Sequence, residues 1–79
     1  MNVTLYTRED CGLCEETEHL LRRAHKLIRF DLERVYIDND KKLRELYGDR
    51  VPIVTVDGKE VASAPVDEAG LMAALSQAA

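Results

Sequence analysis

The sequence lacks tryptophan and has one phenylalanine among its 79 residues. So few aromatic rings leave little surface on which nucleic-acid bases could stack. An excess of positive charge is also absent, since eleven lysines and arginines stand against fifteen aspartates and glutamates. Binding to phosphates needs clustered positive charge. The composition therefore argues against a nucleic-acid partner.

Long hydrophobic runs are also missing. No apolar stretch approaches the roughly 20 residues that a membrane-spanning helix needs. The first residues, Met1–Thr4, lack the basic-then-apolar pattern of a secretory signal. We therefore expect a cytoplasmic protein that does not bind membranes.

The length allows one small hydrophobic core, because a chain of this size buries only about 60% of the surface exposed by its unfolded form. Hydrophobic residues make up 46% of the chain and charged residues 33%, which is typical of a globular protein and argues against disorder. No repeat, linker or low-complexity tract divides the sequence. We expect residues 1–79 to form a single domain and to act as a monomer.

Hydrophobic periodicity predicts seven elements in the order β-α-β-α-β-β-α. The predicted strands cover residues 3–7, 32–37, 53–56 and 59–62, and the predicted helices begin near residues 13, 41 and 67. The opening β-α-β unit needs a crossover, so its strands should be parallel. Asp57-Gly58 predicts an antiparallel hairpin between the last two strands. Together these features predict an α/β fold, with a four-stranded mixed sheet flanked by helices.

Local signals predict how the helices begin, end and pack. An apolar stripe of period 3.6 marks the inward side of the first helix. Its members are Leu13, Thr17, Leu20, Leu21, Ala24 and Ile28. Asn39 or Asp40 is expected to cap the second helix, Gly48 to end it, and Asp67 to cap the third. The inward residues of the third helix are expected to be Leu71, Met72 and Leu75.

The two cysteines form the motif Cys11-Gly12-Leu13-Cys14, between the first predicted strand and helix. A disulfide between residues this close closes almost no loop and adds little stability, so the pair calls for a chemical explanation. At the start of a helix, unpaired N–H groups and the helix dipole would stabilise a Cys11 thiolate, the species that attacks disulfides. Cys14, one turn further on, would resolve the mixed disulfide, and Gly12 leaves room for a substrate.

Two other interpretations of the pair stay open at this point. Cys11, Cys14, His19 and His25 could form a zinc site, although the two histidines lie about 240° apart around one predicted helix. Alternatively, the cysteines could be two small apolar residues without a chemical role. The histidines themselves are more often solvated helix residues than metal ligands.

With these motifs in place, the sequence resembles the glutaredoxin-like branch of the thioredoxin superfamily. The resemblance rests on TLYTREDCGLC at residues 4–14 and RVPIVTVDGK at residues 50–59, and it spans nearly the whole chain. It implies a thioredoxin-like fold of the glutaredoxin type, which agrees with the predicted order of elements. It also implies that Cys11 and Cys14 are the catalytic residues of a thiol–disulfide oxidoreductase.

The resemblance implies substrate-binding residues as well. Pro52 would follow a cis peptide bond and face the disulfide, and Val51 would offer its backbone N–H and C=O to an extended substrate. Arg8 stands where many glutaredoxins have a basic residue that meets the glutathione carboxylate. Asp67 matches the acidic residue that holds the glutathione amino group. Without the resemblance, Arg8 would be a solvated charge and Asp67 a helix cap.

The sequence departs from the glutaredoxin pattern in several places. Gly12 replaces a frequent proline and Leu13 replaces the usual aromatic residue; both are still expected to contact the substrate. Ser63-Ala64-Pro65 replaces a Gly-Gly pair that lets glutathione approach. Acidic residues surround the motif, namely Glu9, Asp10, Glu15, Glu16 and Glu18. These departures weaken the case for tight glutathione binding and favour basic or neutral substrates.

The leading hypothesis is a small enzyme that reduces disulfides of proteins or of low-molecular-weight thiols. No bound cofactor or metal is expected, and glutathione or a flavoprotein thiol reductase would supply the electrons. Two other classes remain: a glutaredoxin-like module that bridges an iron–sulfur cluster, which the glycine at position 12 keeps open, and a non-catalytic adaptor of thioredoxin fold that binds a partner around Pro52.

Overall fold

Four strands and three helices follow one another in the predicted order, in a computed structural model that describes residues 1–79. The elements are β1 (Asn2–Thr7), α1 (Gly12–His25), β2 (Asp31–Tyr36), α2 (Lys41–Tyr47), β3 (Ile53–Val56), β4 (Lys59–Ser63) and α3 (Glu68–Ala78). A short 3₁₀ turn, Gly48–Arg50, separates α2 from β3. None of the helices is both long and apolar enough to cross a bilayer.

The strands form one mixed sheet in the order β2-β1-β3-β4. β1 pairs in parallel with β2 and antiparallel with β3, so that Tyr6 lies between Val35 and Ile53. β3 and β4 form an antiparallel hairpin. This topology confirms the predicted four-stranded mixed sheet and its thioredoxin-like arrangement.

The hairpin turn explains why Asp57-Gly58 is such a clear sequence signal. Both residues have positive φ, 50° at Asp57 and 88° at Gly58, as a two-residue turn of the right twist requires. The carboxylate of Asp57 also accepts a hydrogen bond from the backbone N–H of Asn2, at 2.9 Å. The turn therefore holds the start of β1 as well as joining β3 to β4.

The hydrophobic core consists of two clusters. The larger one joins α1 and α3 to the sheet through nine buried residues, including Leu5, Leu21, Val54, Leu71 and Leu75. The smaller one contains Cys14, Ile37, Val51 and Ile53, with side chains from α2 packed against it. One cysteine of the motif is thus part of the core.

Some local predictions were wrong by one helical position. Leu13 was expected to face inward, but its side chain is 51% exposed. Cys11 caps α1, so the buried stripe runs through Cys14, Thr17, Leu21 and Ala24. Ile28 lies beyond the end of α1 and is only partly buried.

The predicted caps of the other helices mostly agree with the structure. Asp40 caps α2 and Asp67 caps α3 through their side chains. Gly48, with φ 26°, ends α2 but also begins the 3₁₀ turn. In α3, Leu71 and Leu75 are buried, whereas Met72 is only partly so, because residues four apart share one helix face.

The core assignment predicts a clear contrast between two leucines near each other in sequence. Leu21 is fully buried, and Leu27 is 79% exposed. Leu21→Ala should lower the free energy of unfolding by about 2–5 kcal/mol, because it opens a cavity. The matched control Leu27→Ala should change it by less than about 0.5 kcal/mol. Urea unfolding of both variants checks this, and equal losses would contradict the packing described.

Candidate active site

Cys11 lies at the N-cap of α1, where its backbone is extended (φ −119°, ψ 103°). Its C=O accepts the N–H of Glu15 at 3.1 Å, and its Sγ accepts the N–H of Cys14 at 3.2 Å. The sulfur thus takes the place that a serine or aspartate oxygen usually fills at a helix start. An N–H group and the positive end of the helix dipole both favour negative charge on this sulfur.

Cys11 and Cys14 are joined by a disulfide in the structure, with their Cα atoms 5.2 Å apart. Their accessibilities differ, because Cys14 is only 2% exposed while Cys11 is partly exposed. A substrate can therefore reach the Cys11 sulfur more readily than the Cys14 sulfur. Gly12 and Leu13, exposed beside Cys11, complete the accessible side of the motif.

Cys14 is buried against segments that follow β2 and precede β3. Ile37, Val51 and Ile53 form the buried cluster with it, and Cys11 packs at the rim. Among the predicted site residues, the structure thus brings Val51 together with both cysteines. The bond between Val51 and Pro52 is cis, as the resemblance implied, and Pro52 is buried. A second cis bond, before Pro65, was not anticipated.

Tyr6 and Tyr47 pack on the same small cluster, with ring centroids 4.5 Å apart. Burial raises the pKa of Tyr6, and the charges of Tyr47 and Glu33 add to the effect. A tyrosine is already uncharged near neutral pH, and the raised pKa of Tyr6 extends this neutral range further. The sequence placed Tyr47 on one side of the second helix but assigned neither tyrosine to the site.

Arg8 and Asp67 lie outside this cluster. Arg8 is exposed in the β1–α1 loop and forms no ion pair; it lines a shallow polar cleft with acidic neighbours such as Glu9 and Glu15. Asp67 accepts the N–H of Gly70 at 2.6 Å, and its helix packs on the larger core cluster. The capping role of Asp67 is confirmed, whereas the glutathione roles of both residues stay predictions.

Asp38, which follows β2, was missed by the sequence reasoning. Its two carboxylate oxygens lie 3.2 and 3.4 Å from the backbone nitrogen of Glu9, two residues before Cys11. The intervening Asp10 has a positive φ of 53°. The parallel pairing predicted for β1 and β2 could have shown that their carboxyl ends meet at one edge of the sheet.

The arrangement does not support the zinc alternative. His25 lies at the far end of α1 from the cysteines, and its ring packs edge-on against Phe30, with centroids 5.0 Å apart. No group of three or more histidine, cysteine, aspartate or glutamate side chains lies close enough together to hold a metal ion. The two cysteines and two histidines therefore do not converge.

Negative charge is concentrated around the cysteines. Residues 8–18 contain five acidic residues and one basic residue, whereas the remainder of the chain contains ten of each. The whole net charge of −4 thus belongs to the segment around the motif. These carboxylates disfavour a thiolate at Cys11, in opposition to the helix N-terminus.

Glu18 forms two ion pairs, one with Arg22 on its own helix and one with Arg34, which joins this segment to β2. Its carboxylate lies 2.8 Å from Arg22 and 3.0 Å from Arg34. The hydrogen bond from Arg22 holds the pKa of Glu18 below its ordinary value of 4.5, and Arg34 acts in the same direction while partial burial opposes them. The Arg34 guanidinium also lies over the ring of Tyr36, 5.3 Å from its centroid.

Comparison with solved structures confirms the fold. Thioredoxin 1 of Thermosipho africanus superposes with a TM-score of 0.73 over 99% of this chain and 93% of that chain. At 13% sequence identity, this likeness shows the fold alone. The protein therefore has a thioredoxin-like fold.

The family follows from the sequence comparison. The family model of the glutaredoxin-like domain (DUF836) matches residues 2–76, and the chain belongs to this family. The uncharacterized protein Rv0508 of Mycobacterium tuberculosis is 31% identical over 80 residues, which cover 95% of this chain and 82% of that protein. Membership confirms the glutaredoxin-like resemblance.

Solved structures of similar sequence agree. The crystal structure of protein XcR50 from X. campestris superposes with a TM-score of 0.84 at 36% sequence identity. The match covers 98% of this chain and 99% of that chain. The solution structure of protein Ne2328 from Nitrosomonas europaea is 38% identical, with a TM-score of 0.78, and the match covers 94% of this chain and 89% of that chain.

The Glu18 ion pairs predict a pH-dependent contribution to stability. Because the folded-state pKa is lowered, the contribution is fully present above the unfolded value and is lost as pH falls through the folded value. Glu18→Gln should lower the free energy of unfolding by about 0.3–1 kcal/mol at neutral pH. The difference from the wild type should shrink as the pH falls below 4.5.

Urea unfolding at several pH values measures this difference. Glu16→Gln is the matched control, because Glu16 lies on the same helix, is exposed and forms no ion pair. A Glu18→Gln effect that stayed constant down to acidic pH would contradict the ion-pair explanation.

Proposed function

We propose that the protein is a thiol–disulfide oxidoreductase in which Cys11 is the nucleophile and Cys14 the resolving thiol. The observation that carries this proposal is the position of Cys11 at the N-cap of α1, with its Sγ 3.2 Å from the N–H of Cys14. Membership of a glutaredoxin-like family supports the same chemistry.

In the first step, the Cys11 thiolate attacks one sulfur of the substrate disulfide. A bond forms between Cys11 Sγ and that sulfur, the substrate S–S bond breaks, and the other substrate sulfur leaves as a thiolate that takes a proton from water. The partial exposure of Cys11 beside Gly12 and Leu13 lets the substrate approach on this side.

In the second step, Cys14 deprotonates and attacks Cys11 Sγ in the mixed disulfide. The Cys11–Cys14 bond forms and the second substrate thiolate leaves. The substrate has then gained two electrons and the protein has lost two. Since Cα atoms 5.2 Å apart are compatible with a disulfide, the resolving step needs no large backbone movement.

Electrons must then return to the disulfide from outside. Two glutathione molecules, oxidised to glutathione disulfide, or one flavoprotein thiol reductase would balance the cycle. Because the cysteine pair itself carries both electrons, this mechanism requires no bound cofactor or metal. We propose glutathione or such a reductase as the donor.

The substrate segment is proposed to lie extended along Val51. This residue lies between the 3₁₀ turn and β3, and it is absent from the backbone hydrogen bonds found in loops and turns, which supports a role for its N–H and C=O in substrate binding. The C=O of Pro52, in contrast, accepts the N–H of Ala64 at 3.1 Å. Val51 also belongs to the same buried cluster as Cys14, which supports this proposal.

The two cysteines should respond differently to replacement by serine. Cys11→Ser removes the nucleophile and should abolish disulfide reduction. Cys14→Ser leaves the nucleophile but removes the resolving thiol, so a mixed disulfide with a model disulfide substrate should accumulate. Intact-mass spectrometry after reaction and alkylation would detect this adduct.

Each serine variant is the control for the other, since both lose one sulfur. An adduct on Cys11→Ser but not on Cys14→Ser would reverse the assigned roles. Full disulfide reductase activity in either variant would refute the two-cysteine mechanism for that substrate. Iron or visible absorbance in anaerobically purified protein would favour the cluster-binding alternative.

Asp67 allows the proposed glutathione contact to be separated from helix capping. Asn caps helices about as well as Asp, so Asp67→Asn should leave thermal stability nearly unchanged, while Asp67→Ala should cost about 0.5–2 kcal/mol. If the carboxylate binds the glutathione amino group, Asp67→Asn should raise the KM for glutathione about twofold to fivefold, the range expected for an exposed ion pair.

The measurement is steady-state disulfide reduction with glutathione as the varied substrate. Glu68→Gln is a suitable control, because Glu68 lies in the same helical turn and pairs with Arg23. An unchanged KM in Asp67→Asn would show that the donor does not contact this carboxylate.

A further inference from the structure

The side chain of Asp38 extends the contact between the ends of the parallel strands β1 and β2. The last backbone hydrogen bond between the two chain segments joins the N–H of Ile37 to the C=O of Thr7, at 2.9 Å. Beyond it, the Glu9 N–H donates to the Asp38 carboxylate, with oxygens at 3.2 and 3.4 Å. No other side-chain hydrogen bond reaches residues 8–10.

Asp38 is itself held by the segment on its other side. Its C=O accepts a hydrogen bond from Arg44 Nη1 of α2. The neighbouring Asp40 caps the same helix by accepting the N–H of Leu43 at 3.0 Å, and the N–H of Arg44 donates to Asp40 C=O at 2.9 Å. Asp38 is therefore tied to α2 through its own C=O and Arg44, a contact that does not involve the Asp40 side chain.

The Arg8–Asp10 loop, which donates this hydrogen bond through Glu9, has little else to hold it. Arg8, Glu9 and Asp10 are all exposed, so packing contributes little to their conformation. Asp10 has φ 53°, a left-handed conformation that L-residues rarely adopt. Only Asp10 separates the anchored peptide of Glu9 from Cys11, so the direction of that peptide determines how Cys11 enters α1.

We propose that Asp38 is a positioning residue for Cys11. By accepting the Glu9 N–H, its carboxylate keeps the Cys11 sulfur within hydrogen-bond distance of the Cys14 N–H. The inference rests on the proposed function for its catalytic meaning. Without the hydrogen bond, the Arg8–Asp10 loop samples other conformations, and the Cys11 thiolate loses part of its stabilisation from the helix N-terminus.

The negative charge of Asp38 and its hydrogen bond to Glu9 have opposite effects on the Cys11 thiolate. Variants that remove one or both can therefore separate the two effects. A carboxylate near Cys11 disfavours the thiolate, so removing its charge alone should increase thiolate reactivity. Removing the acceptor should decrease it. Asp38→Asn removes the charge but keeps an oxygen that can accept the Glu9 N–H, whereas Asp38→Ala removes both.

The experiment measures how fast iodoacetamide alkylates Cys11 in the reduced, full-length protein at neutral pH. Short pulses followed by peptide mapping assign the modified cysteine. Asp38→Ala should react about twofold to tenfold more slowly than the wild type, the factor that one net hydrogen bond contributes. Asp38→Asn should react at the wild-type rate or faster.

Asp40→Ala is the matched control. It removes an aspartate hydrogen bond from the same β2–α2 segment, but that bond caps α2 and does not touch the Cys11 loop. Its Cys11 should react at the wild-type rate after correction for the folded fraction, which thermal unfolding of each variant supplies. Should Asp38→Ala fail to fold, Asp38→Ser replaces it, since a serine hydroxyl is too short to span the same distance.

Three results would overturn the inference. Faster alkylation in both Asp38→Ala and Asp38→Asn would mean that only charge matters. Equal slowing in Asp38→Ala and Asp40→Ala would mean a general loss of structure. An unchanged alkylation rate in Asp38→Ala would mean that the loop keeps its conformation without the Asp38 hydrogen bond. The proposed function fails separately, if the wild type reduces no disulfide, because the alkylation rates do not depend on turnover.

Discussion

The pairing of β1 with β2 and β3 determines which segments of the chain surround the cysteine pair. β2 runs parallel to β1, so the loops that follow both strands leave the sheet at one edge. β3 runs antiparallel, and Tyr6 near the end of β1 pairs with Ile53 at the start of β3. The segment before β3 therefore reaches the same edge. Three stretches that are far apart in sequence meet there, and they supply Cys14, Ile37 and Val51 to one cluster.

Two electrostatic influences compete at this edge. The start of α1 directs an N–H group at Cys11 Sγ and favours a thiolate. The surrounding acidic residues, which account for the net charge of the chain, oppose it. The hydrogen bond is short-ranged and depends on geometry, while exposed charges are screened by salt. The N-cap hydrogen bond is thus less sensitive to salt than the exposed charges. It depends instead on the position of Cys11, which the preceding loop helps to set.

Most of the fold could be predicted from sequence because local and global signals agree. The Asp57-Gly58 turn, the caps Asp40 and Asp67, and the buried run of β3 all coincide with the structure. Leu13 was placed wrongly because periodicity does not say where a buried stripe begins. Thr17, Leu21 and Ala24 are buried as predicted, but in the first turn Cys14 is buried instead of Leu13. The glutathione roles of Arg8 and Asp67 are still predictions that rest on family resemblance.

Parallel pairing predicts that the ends of β1 and β2 meet, but nothing in the sequence around Asp38 distinguishes it from the other acidic residues. Its partner, Glu9, lies 29 residues away and contributes a backbone N–H, which no sequence signal marks. The same holds for Tyr6 and Tyr47, which meet only once α2 has folded onto the sheet. Contacts of this kind depend on register and crossover geometry, and a sequence specifies those only through the complete fold.

The burial of Cys14 has a consequence for the energetics of the whole molecule. As a core residue, its sulfur contributes to packing whether or not it is bonded to Cys11. The disulfide closes a loop of four residues, too short to constrain the unfolded chain appreciably. The loop-closure contribution of the disulfide to folding should therefore be small. In the proposed cycle, the covalent change is confined to a single helical turn at the edge of the smaller core cluster.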